Sequence, residues 1–277
     1  MHLIGQNMTR RPGWDSYCTF ARQVALEAGA IMLSHFGTRH SHTKADGSPV
    51  TIADQLINDL VIARVRQQFP THAILGEERS HAVAGNSHTW VCDPIDGTVP
   101  FMLGIPTNIF SLAMVDAQGT PVVAVAYDPY LQRMYWATAG SKAYVNQQSL
   151  TVSNTPALRT ARVGFSGRSS RVLQAEHFTH SLRQSCNRLV TLQSIVYEAM
   201  LVATGAIDAA ILMGDGAHDA AAACLIVRAA GGNVTDLYGD DQRYDAPVRG
   251  VILSNGGALH TELVTLAKSH MLTPGQS

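Results

Sequence analysis

The sequence predicts a layered fold of the α+β or α/β class, in which helices pack on β-sheets. In the first half of the chain, two helical patterns are followed by strands with short connections. In the second half, strands and helices alternate, as they do in folds that stack helices on a sheet. With 277 residues, 46% of them hydrophobic, the chain can bury a sizeable core. We therefore expect two lobes, residues 1–157 and residues 158–277.

The first half of the chain opens with two predicted helices. Apolar residues at helical spacing predict a helix over residues 15–36, and Gly37 fits its end. The polar residues 38–48 predict a loop or a hairpin. Residues 49–54 lead into a second helix, which ends before Pro70 because proline disfavours helical geometry in the residue that precedes it.

Short apolar runs separated by turns predict the first sheet. We expect strands over residues 73–75, 90–92, 107–115, 121–127, 134–138 and 143–145. The later members of this series are joined by tight turns, which favour antiparallel pairing. The sequence therefore predicts an antiparallel meander.

The second half of the chain alternates between strands and helices. The predicted strands cover residues 162–165, 189–192, 207–213 and 251–253. The predicted helices cover residues 169–186, 197–204, 218–230 and 259–270, and glycines end two of them, at Gly205 and at 231–232. This alternation predicts a second sheet with helices packed on it.

Composition and charge limit the classes of function that the chain can have. The formal net charge of −1 provides no global field for nucleic acid or for a membrane surface, and the few aromatic residues form no visible stacking platform. The apolar runs are shorter than the ~20 residues that a membrane span needs. The sequence shows no CxxC spacing and no signal peptide, so we expect a cytoplasmic protein with reduced cysteines at Cys18, Cys92, Cys186 and Cys224.

The strongest chemical signal is the segment from Trp90 to Thr98. A short apolar run ends there in Asp93 and Asp96, and Gly97 and Thr98 follow at once. Two carboxylates on a turn after a buried strand suit a hard cation such as Mg²⁺. If a helix begins near Gly97, its free N–H groups can hold an anion beside that cation. A cation and a phosphate side by side is the arrangement that phosphate chemistry requires.

Three further sets of acids each allow two interpretations. Glu77 and Glu78 follow a predicted strand and fit either a solvated loop or a cation site. Asp54 fits either a helix N-cap or the same site, and Asp219 fits either an acid that complements a helix dipole or a ligand. If these carboxylates share one pocket, they repel one another, and divalent cations remove that conflict. Oxygen ligands without His or Cys favour Mg²⁺ over zinc.

These segments resemble, in order and spacing, the motifs of the inositol monophosphatase family. The resemblance covers nearly the whole chain and rests on Gly76-Glu77-Glu78, Asp93-Pro94-Ile95-Asp96-Gly97-Thr98 and His218-Asp219-Ala220-Ala221. It implies a layered α-β-α-β-α sandwich, usually a homodimer. It also implies Mg²⁺-dependent, lithium-sensitive hydrolysis of a small phosphate monoester.

The resemblance also implies roles for individual residues. One Mg²⁺ would be held by Glu77, Asp93 and the carbonyl of Ile95. A second would be held by Asp93, Asp96 and Asp219, and a third, weaker ion would lie near Glu77. Thr98, with Asp54 behind it, and Glu77 would orient the attacking water. The N–H groups of Gly97 and Thr98 would hold the phosphate. Four residues are candidates for contacts to the rest of the substrate: Asp96, Arg168, Asp215 and His218. Arg168 fits either a contact to a second anionic group or a solvated surface residue, and Asp215 could replace a polar contact that the chain lacks at Leu212.

The chain departs from the family pattern on the substrate side. Leu212 stands near the position where animal members of the family place a glutamate that binds inositol hydroxyls, and an apolar side chain cannot accept those hydrogen bonds. His218 stands where a tryptophan is usual, and it fits either packing or a substrate contact. Pro100 replaces a frequent asparagine, and Pro has no N–H to donate.

The substrate therefore stays open at the level of sequence. The candidates are inositol phosphate, histidinol phosphate, fructose 1,6-bisphosphate and 3′-phosphoadenosine 5′-phosphate, and the few basic residues on the substrate side disfavour a bisphosphate. An alternative of another class is a regulatory binding protein that retains the fold. The complete set of acids favours catalysis.

Overall fold

The structure is a computed structural model, and it describes residues 13–38, 41–44, 47–166 and 174–271. The helices are α1 Asp15–His35, α2 Ile52–Gln68, α3 Thr98–Leu103, α4 Ala175–Ser185, α5 Ile195–Ala203, α6 Ala217–Ala229 and α7 Gly257–Lys268. The strands are β1 Ser41–Thr43, β2 Pro49–Thr51, β3 Ala73–Gly76, β4 His88–Asp96, β5 Ile109–Asp116, β6 Pro121–Asp128, β7 Arg133–Thr138, β8 Tyr144–Val145, β9 Gln148–Ser149, β10 Arg162–Ser166, β11 Arg188–Val190, β12 Ala209–Leu212, β13 Asn233–Thr235 and β14 Val251–Ser254.

The first sheet has seven strands in the order β3-β4-β5-β6-β7-β8-β9. From β4 onward every pairing is antiparallel, which confirms the predicted meander. The edge strand β3 differs because it runs parallel to β4, with Gly76 opposite Cys92. Parallel pairing brings the carboxyl ends of both strands to the same edge of the sheet. Glu77, which follows β3, and Asp93, which follows Cys92 within β4, are therefore neighbours.

The second sheet has five strands in the order β11-β10-β12-β14-β13. β10 pairs in parallel with β11 and β12, whereas β14 runs antiparallel to both β12 and β13. The short strand β13 was not expected from the sequence, since its three residues carry little periodic signal. The first sheet uses residues 73–149 and the second residues 162–254. The division of the chain into lobes at residue 157 stays a prediction.

Alternation along the central strands explains the layers. In β4, Trp90 and Cys92 pack into a core with α1 and α2, whereas Val91 packs on the opposite face with α5 and α6. The core that contains α5 and α6 also takes side chains from the second sheet, and the outer face of that sheet packs against α4 and α7. The order of layers is therefore helices, sheet, helices, sheet, helices, which confirms the predicted α-β-α-β-α sandwich.

Small side chains let α6 fit between the two sheets. Its residues Ala220 to Ala223 are all buried, and alanine keeps the helix close to the strands on both sides. The four cysteines, as the sequence suggested, are free thiols. None of the helices in the described part of the chain is long and apolar enough to cross a membrane.

Candidate active site

The first part of the site lies where β3 ends and its pairing with β4 stops. The backbone N–H of Glu77 donates to the carbonyl of Cys92 at 3.1 Å, so the parallel pairing continues to the residue that carries the carboxylate. The next residue of β4, Asp93, is 2% exposed. A half-buried carboxylate and a fully buried one therefore face the same space.

The turn after Asp93 is fixed by its own hydrogen bonds. Asp93 Oδ1 accepts from the N–H of Ile95 at 3.0 Å, and the Thr98 hydroxyl donates to the Ile95 carbonyl at 3.3 Å. The register with β5 shifts between Asp93 and Asp96, so both acids can turn toward one side. Gly97 then has φ of 92°, a backbone conformation that residues other than glycine rarely adopt.

Helix α6 adds the third acid of this group. Asp93, Asp96 and Asp219 each place a carboxylate oxygen within 4.8 Å of the others. Burial and the neighbouring carboxylates, Glu77 among them, raise the pKa of Asp93 well above its usual range. The same two causes raise the pKa of Asp96 and of Asp219, where His218 acts in the opposite direction. A cation among these oxygens would relieve this repulsion.

Helix α5 holds Asp96 in place. The Ser194 hydroxyl donates to Asp96 Oδ2 at 2.5 Å, and the N–H of Val196 donates to the same oxygen at 2.7 Å. The N–H of Ile195 reaches Oδ1 at 3.3 Å. The bonds from Ser194 and Val196 lower the pKa of Asp96, although burial outweighs them. Sequence reasoning missed Ser194. A serine directly before a helical run was the available signal, because serine is a preferred N-cap.

A second acidic group adjoins the first. Asp54, Glu77 and Glu78 place carboxylate oxygens within 4.8 Å of one another. Asp54 is not the N-cap of α2: Thr51 has that role, and Asp54 completes a capping box three residues later. Its Oδ2 accepts from the N–H and the hydroxyl of Thr51 at 2.7 and 2.6 Å. Burial, with Glu77 and Glu78 nearby, raises its pKa to about 7.

The contact expected between Thr98 and Asp54 is not among the hydrogen bonds of the described residues. Asp54 Oδ1 is buried and accepts no hydrogen bond from a described residue. The Thr98 hydroxyl, expected to pair with Asp54, donates to the Ile95 carbonyl. The pairing of Thr98 with Asp54 during turnover stays a prediction.

Lys44 is a site residue that sequence reasoning missed. Its Nζ lies 2.7 Å from Glu77 Oε1 and 2.5 Å from Glu78 Oε1. Burial alone would lower the pKa of Lys44, but the two carboxylates outweigh it and raise the pKa above its usual value. The sequence placed Lys44 in a polar loop or hairpin, and the hairpin of β1 and β2 is what brings it to the acids. No local sequence pattern indicates the contact between Lys44 and the two glutamates.

The substrate-side residues occupy different positions. His218 Nε2 lies 3.8 Å from Asp219 Oδ1, whereas Asp215 is exposed. Leu212 is buried at the end of β12, opposite Ser166 of β10. Arg168, together with the surrounding loop, lies outside the described residues. The substrate contacts expected of Asp215, His218 and Arg168 stay predictions.

Pro100 costs the structure little at its position. It lies in the first turn of α3, where a backbone N–H has no acceptor within the helix. Its carbonyl accepts from the N–H of Ile105 at 2.9 Å. The departure from the family pattern at this position is therefore accommodated locally.

The donor set fits a hard divalent cation. The two acidic groups offer carboxylate oxygens only, and Asp54 Oδ1 is an acceptor that still lacks a partner among the described residues. Hard cations such as Mg²⁺ prefer such oxygens, whereas zinc prefers nitrogen and sulfur. The arrangement can bind metal, orient water and hold a phosphate.

Comparisons with known proteins agree with this geometry. The profile of the inositol monophosphatase family matches residues 14–272. The histidinol-phosphatase of Mycobacterium tuberculosis is 32% identical over 80% of this chain and 86% of its own length. A fructose-1,6-bisphosphatase/inositol-1-monophosphatase of Thermotoga maritima is 30% identical over 88% and 93%. The solved Thermotoga maritima IMPase TM1415 superposes with a TM-score of 0.82 at 26% identity, over 92% of this chain and 97% of that one.

Proposed function

The chain belongs to the inositol monophosphatase family, an enzyme family of phosphoric monoester hydrolases, and we propose that it hydrolyses a small phosphate monoester with Mg²⁺. The observation that carries this proposal is the convergence of Asp93, Asp96 and Asp219 from two separate parts of the chain. Buried carboxylates this close together are unfavourable without a cation, because each negative charge makes ionisation of the next carboxyl group more costly.

The residues that would hold the metal follow from the two groups of acids. Glu77, Asp93 and the Ile95 carbonyl would bind one Mg²⁺, and Asp93, Asp96 and Asp219 a second. Glu77 would also help to hold a third, weaker ion. When bound, Mg²⁺ acidifies water and neutralises charge on the phosphate and the leaving oxygen.

The chain's own groups would supply positioning. Glu77 and the Thr98 hydroxyl would orient the attacking water, with Asp54 taking part in the removal of its proton. The N–H groups of Gly97 and Thr98, at the beginning of α3, would hold phosphate oxygens. Phosphoryl transfer depends mainly on such positioning and electrostatics.

The substrate class is a monoester of a small alcohol. Relatives are named for histidinol phosphate, for inositol 1-phosphate and for fructose 1,6-bisphosphate. In the described part of the chain, Lys44 is the cation paired with the two glutamates next to the cluster, so support for a second phosphate is weak. We also propose a cytoplasmic homodimer that binds neither nucleic acid nor membrane, in keeping with the free cysteines and the near-neutral charge.

A phosphoester panel tests the proposal. The purified protein is assayed with inositol 1-phosphate, histidinol phosphate, fructose 1,6-bisphosphate and 3′-phosphoadenosine 5′-phosphate, with Mg²⁺ and with added Li⁺. We expect Mg²⁺-dependent release of phosphate that Li⁺ inhibits and that Asp93→Asn abolishes. Near-normal turnover by Asp93→Asn would refute the mechanism. Partner binding without turnover of any ester would favour the regulatory alternative.

A further inference from the structure

Asn58 of α2 is a buried polar residue that the proposed mechanism does not use. It is 2% exposed, and it follows Asp54 by one turn of the helix, so both side chains project from the same face of α2. Asp54 belongs to the second group of acids. A carboxamide is costly to bury without partners, so the contacts of Asn58 indicate its role.

The carboxamide of Asn58 contacts the turn that carries the two glutamates. Its Nδ2 donates to the carbonyl of Arg79 at 3.0 Å. A Cβ atom on Gly76 would lie 2.3 Å from Asn58 Oδ1 and 2.5 Å from the Arg79 carbonyl oxygen, so only glycine lets the backbone come this close. Asn58 therefore adjoins both ends of the segment 76–79, and the two glutamates lie between those ends.

The orientation of the carboxamide follows from its partner. The Arg79 carbonyl needs a donor, and the opposite orientation would place the Asn58 oxygen against that carbonyl oxygen. In the orientation observed, Asn58 Oδ1 faces the backbone of Gly76 and accepts no hydrogen bond from a described residue. A side chain at this position therefore has to donate in order to hold the turn.

Backbone hydrogen bonds close the base of the same turn. Ile74 and His81 exchange two of them, each at 2.8 Å. The N–H of Gly76 donates to the Ser80 hydroxyl at 3.3 Å. These contacts fix where the turn leaves β3 and where the chain returns. Asn58 adds a contact from a separate element, on the side of the turn that faces α2.

Little apolar packing supports the outer side of the turn. A cavity of about 320 Å³ borders it, and the side chains that line this cavity are polar: Gln55, Asn58, Asp59, Glu78 and Arg79. Arg79 and Asp59 form an ion pair there, but both side chains are exposed, and exposed pairs contribute little. The conformation of the turn therefore depends on its buried polar contacts.

We propose that Asn58 is a positioning residue whose carboxamide holds the turn of residues 76–79 against α2. It thereby keeps the carboxylates of Glu77 and Glu78 beside Asp54, with oxygens of all three acids within 4.8 Å of one another. The inference rests on the proposed function, in which Glu77 binds Mg²⁺. Asn58 acts on the backbone that carries this ligand, so its removal should weaken metal binding.

The test measures Mg²⁺ binding to the purified protein by calorimetric titration. Asn58→Leu keeps a side chain of similar size that cannot donate to the Arg79 carbonyl, and Asn58→Ala also removes the contact with Gly76. We expect both variants to bind Mg²⁺ about 10-fold more weakly, the lower end of the loss that follows removal of a group that orients a ligand. Without metal, amide hydrogen exchange of residues 76–80 should be faster in both variants.

Asn255→Ala is the matched control. The Nδ2 of Asn255 also donates to a backbone carbonyl, that of Thr155 at 2.9 Å, and its Oδ1 is also buried without a hydrogen bond from a described residue. Asn255 follows β14 and contacts none of the acids through these groups. Its variant should lower the Tm as Asn58→Ala does, while Mg²⁺ binding and the exchange of residues 76–80 stay normal.

Three results would decide against the inference or against its premise. Normal Mg²⁺ binding in both Asn58 variants, or an equal loss in Asn255→Ala, would overturn the role of Asn58. No binding of Mg²⁺ by the unaltered protein would overturn the proposed function together with this inference. Normal binding of Mg²⁺ without release of phosphate from any ester would overturn the proposed function alone, because the titration requires no turnover.

Discussion

The bond between Ser194 and Asp96 predicts that a serine outside the acid cluster controls metal affinity. Ser194→Ala removes the hydroxyl that donates to Asp96 Oδ2 at 2.5 Å and that caps α5 by accepting from the N–H of Tyr197 at 3.3 Å. Loss of an N-cap costs about 1 kcal/mol. Loss of a hydrogen bond to a charged group costs about 1.5–3 kcal/mol, although Val196 still donates to the same oxygen. We expect a loss of stability of about 2–3 kcal/mol.

The effect on metal binding should exceed the effect on folding. Groups that orient a metal ligand typically change affinity by about 10- to 100-fold when they are removed. We therefore expect the Mg²⁺ concentration for half-maximal activity to rise by about 10-fold in Ser194→Ala. The assay is phosphate release against Mg²⁺ concentration, with thermal unfolding measured in parallel without metal.

Ser254→Ala provides the control for folding effects. Ser254 is also fully buried, and its hydroxyl lies 2.8 Å from His260 Nδ1, away from the acids. It should lose a comparable amount of stability while its Mg²⁺ dependence stays normal. If Ser194→Ala loses stability like Ser254→Ala yet binds Mg²⁺ normally, the reasoning about Asp96 is wrong.

Three further predictions concern the charges of the site. Lys44→Met should raise the apparent affinity for Mg²⁺ severalfold, because the glutamates lose a competing cation, and calorimetric titration would reveal it; unchanged affinity would contradict the competition. Gly216→Ala should lower kcat/KM, because its Cβ would lie 2.7 Å from Asp219 Oδ2; Gly214→Ala, with no neighbour nearer than 3.5 Å, is the neutral control, and equal activities would refute the argument. Without metal, the Tm should fall as pH rises from 5 to 7. The Asp54 pKa of about 7 in the folded chain exceeds its ordinary 3.8, so between these values the folded state holds a proton that the unfolded chain has released, and the stabilisation is fully lost once pH exceeds 7. Added Mg²⁺ should reduce this dependence of Tm on pH. A Tm that rises with pH in EDTA would contradict the raised pKa of Asp54.

Local signals in the sequence were sufficient for the layered class and for most elements. The helix predicted over residues 15–36 is α1, Asp15–His35, and the strand predicted over 121–127 is β6, Pro121–Asp128. Both have clear periodicity and glycine or proline at their ends. The prediction for β4 was too short: the strand continues to Asp96, because pairing with β5 extends through the acidic turn.

The contacts that sequence could not supply are those between distant elements. Lys44 and Glu77 are 33 residues apart, and Ser194 and Asp96 are 98 apart. Neither pair has a local pattern, since each depends on how separate elements pack. The resemblance to a family led to the acids, because their spacing along the chain is short and specific. It could not lead to Lys44 or Ser194, whose roles depend on contacts in this particular chain.

The cap and ligand interpretations of the acids do not exclude each other in the folded chain. Asp54 belongs to the capping box of α2, and Asp219 lies in the first turn of α6. Asp96 accepts N–H groups from the first turn of α5. The amino end of α2 therefore lies at the group of Asp54, Glu77 and Glu78, and those of α5 and α6 lie at the adjoining group of Asp93, Asp96 and Asp219.

This convergence is a physical solution to the repulsion within the site. The amino end of a helix carries partial positive charge and favours a nearby carboxylate by about 0.3–1 kcal/mol. Three such ends partly offset the mutual repulsion of the acids, and the raised pKa values of Asp93, Asp96 and Asp219 show that the offset is incomplete. The remaining repulsion is what a divalent cation would relieve. The fold thus holds the acids close enough to bind metal, while leaving them insufficiently neutralised without it.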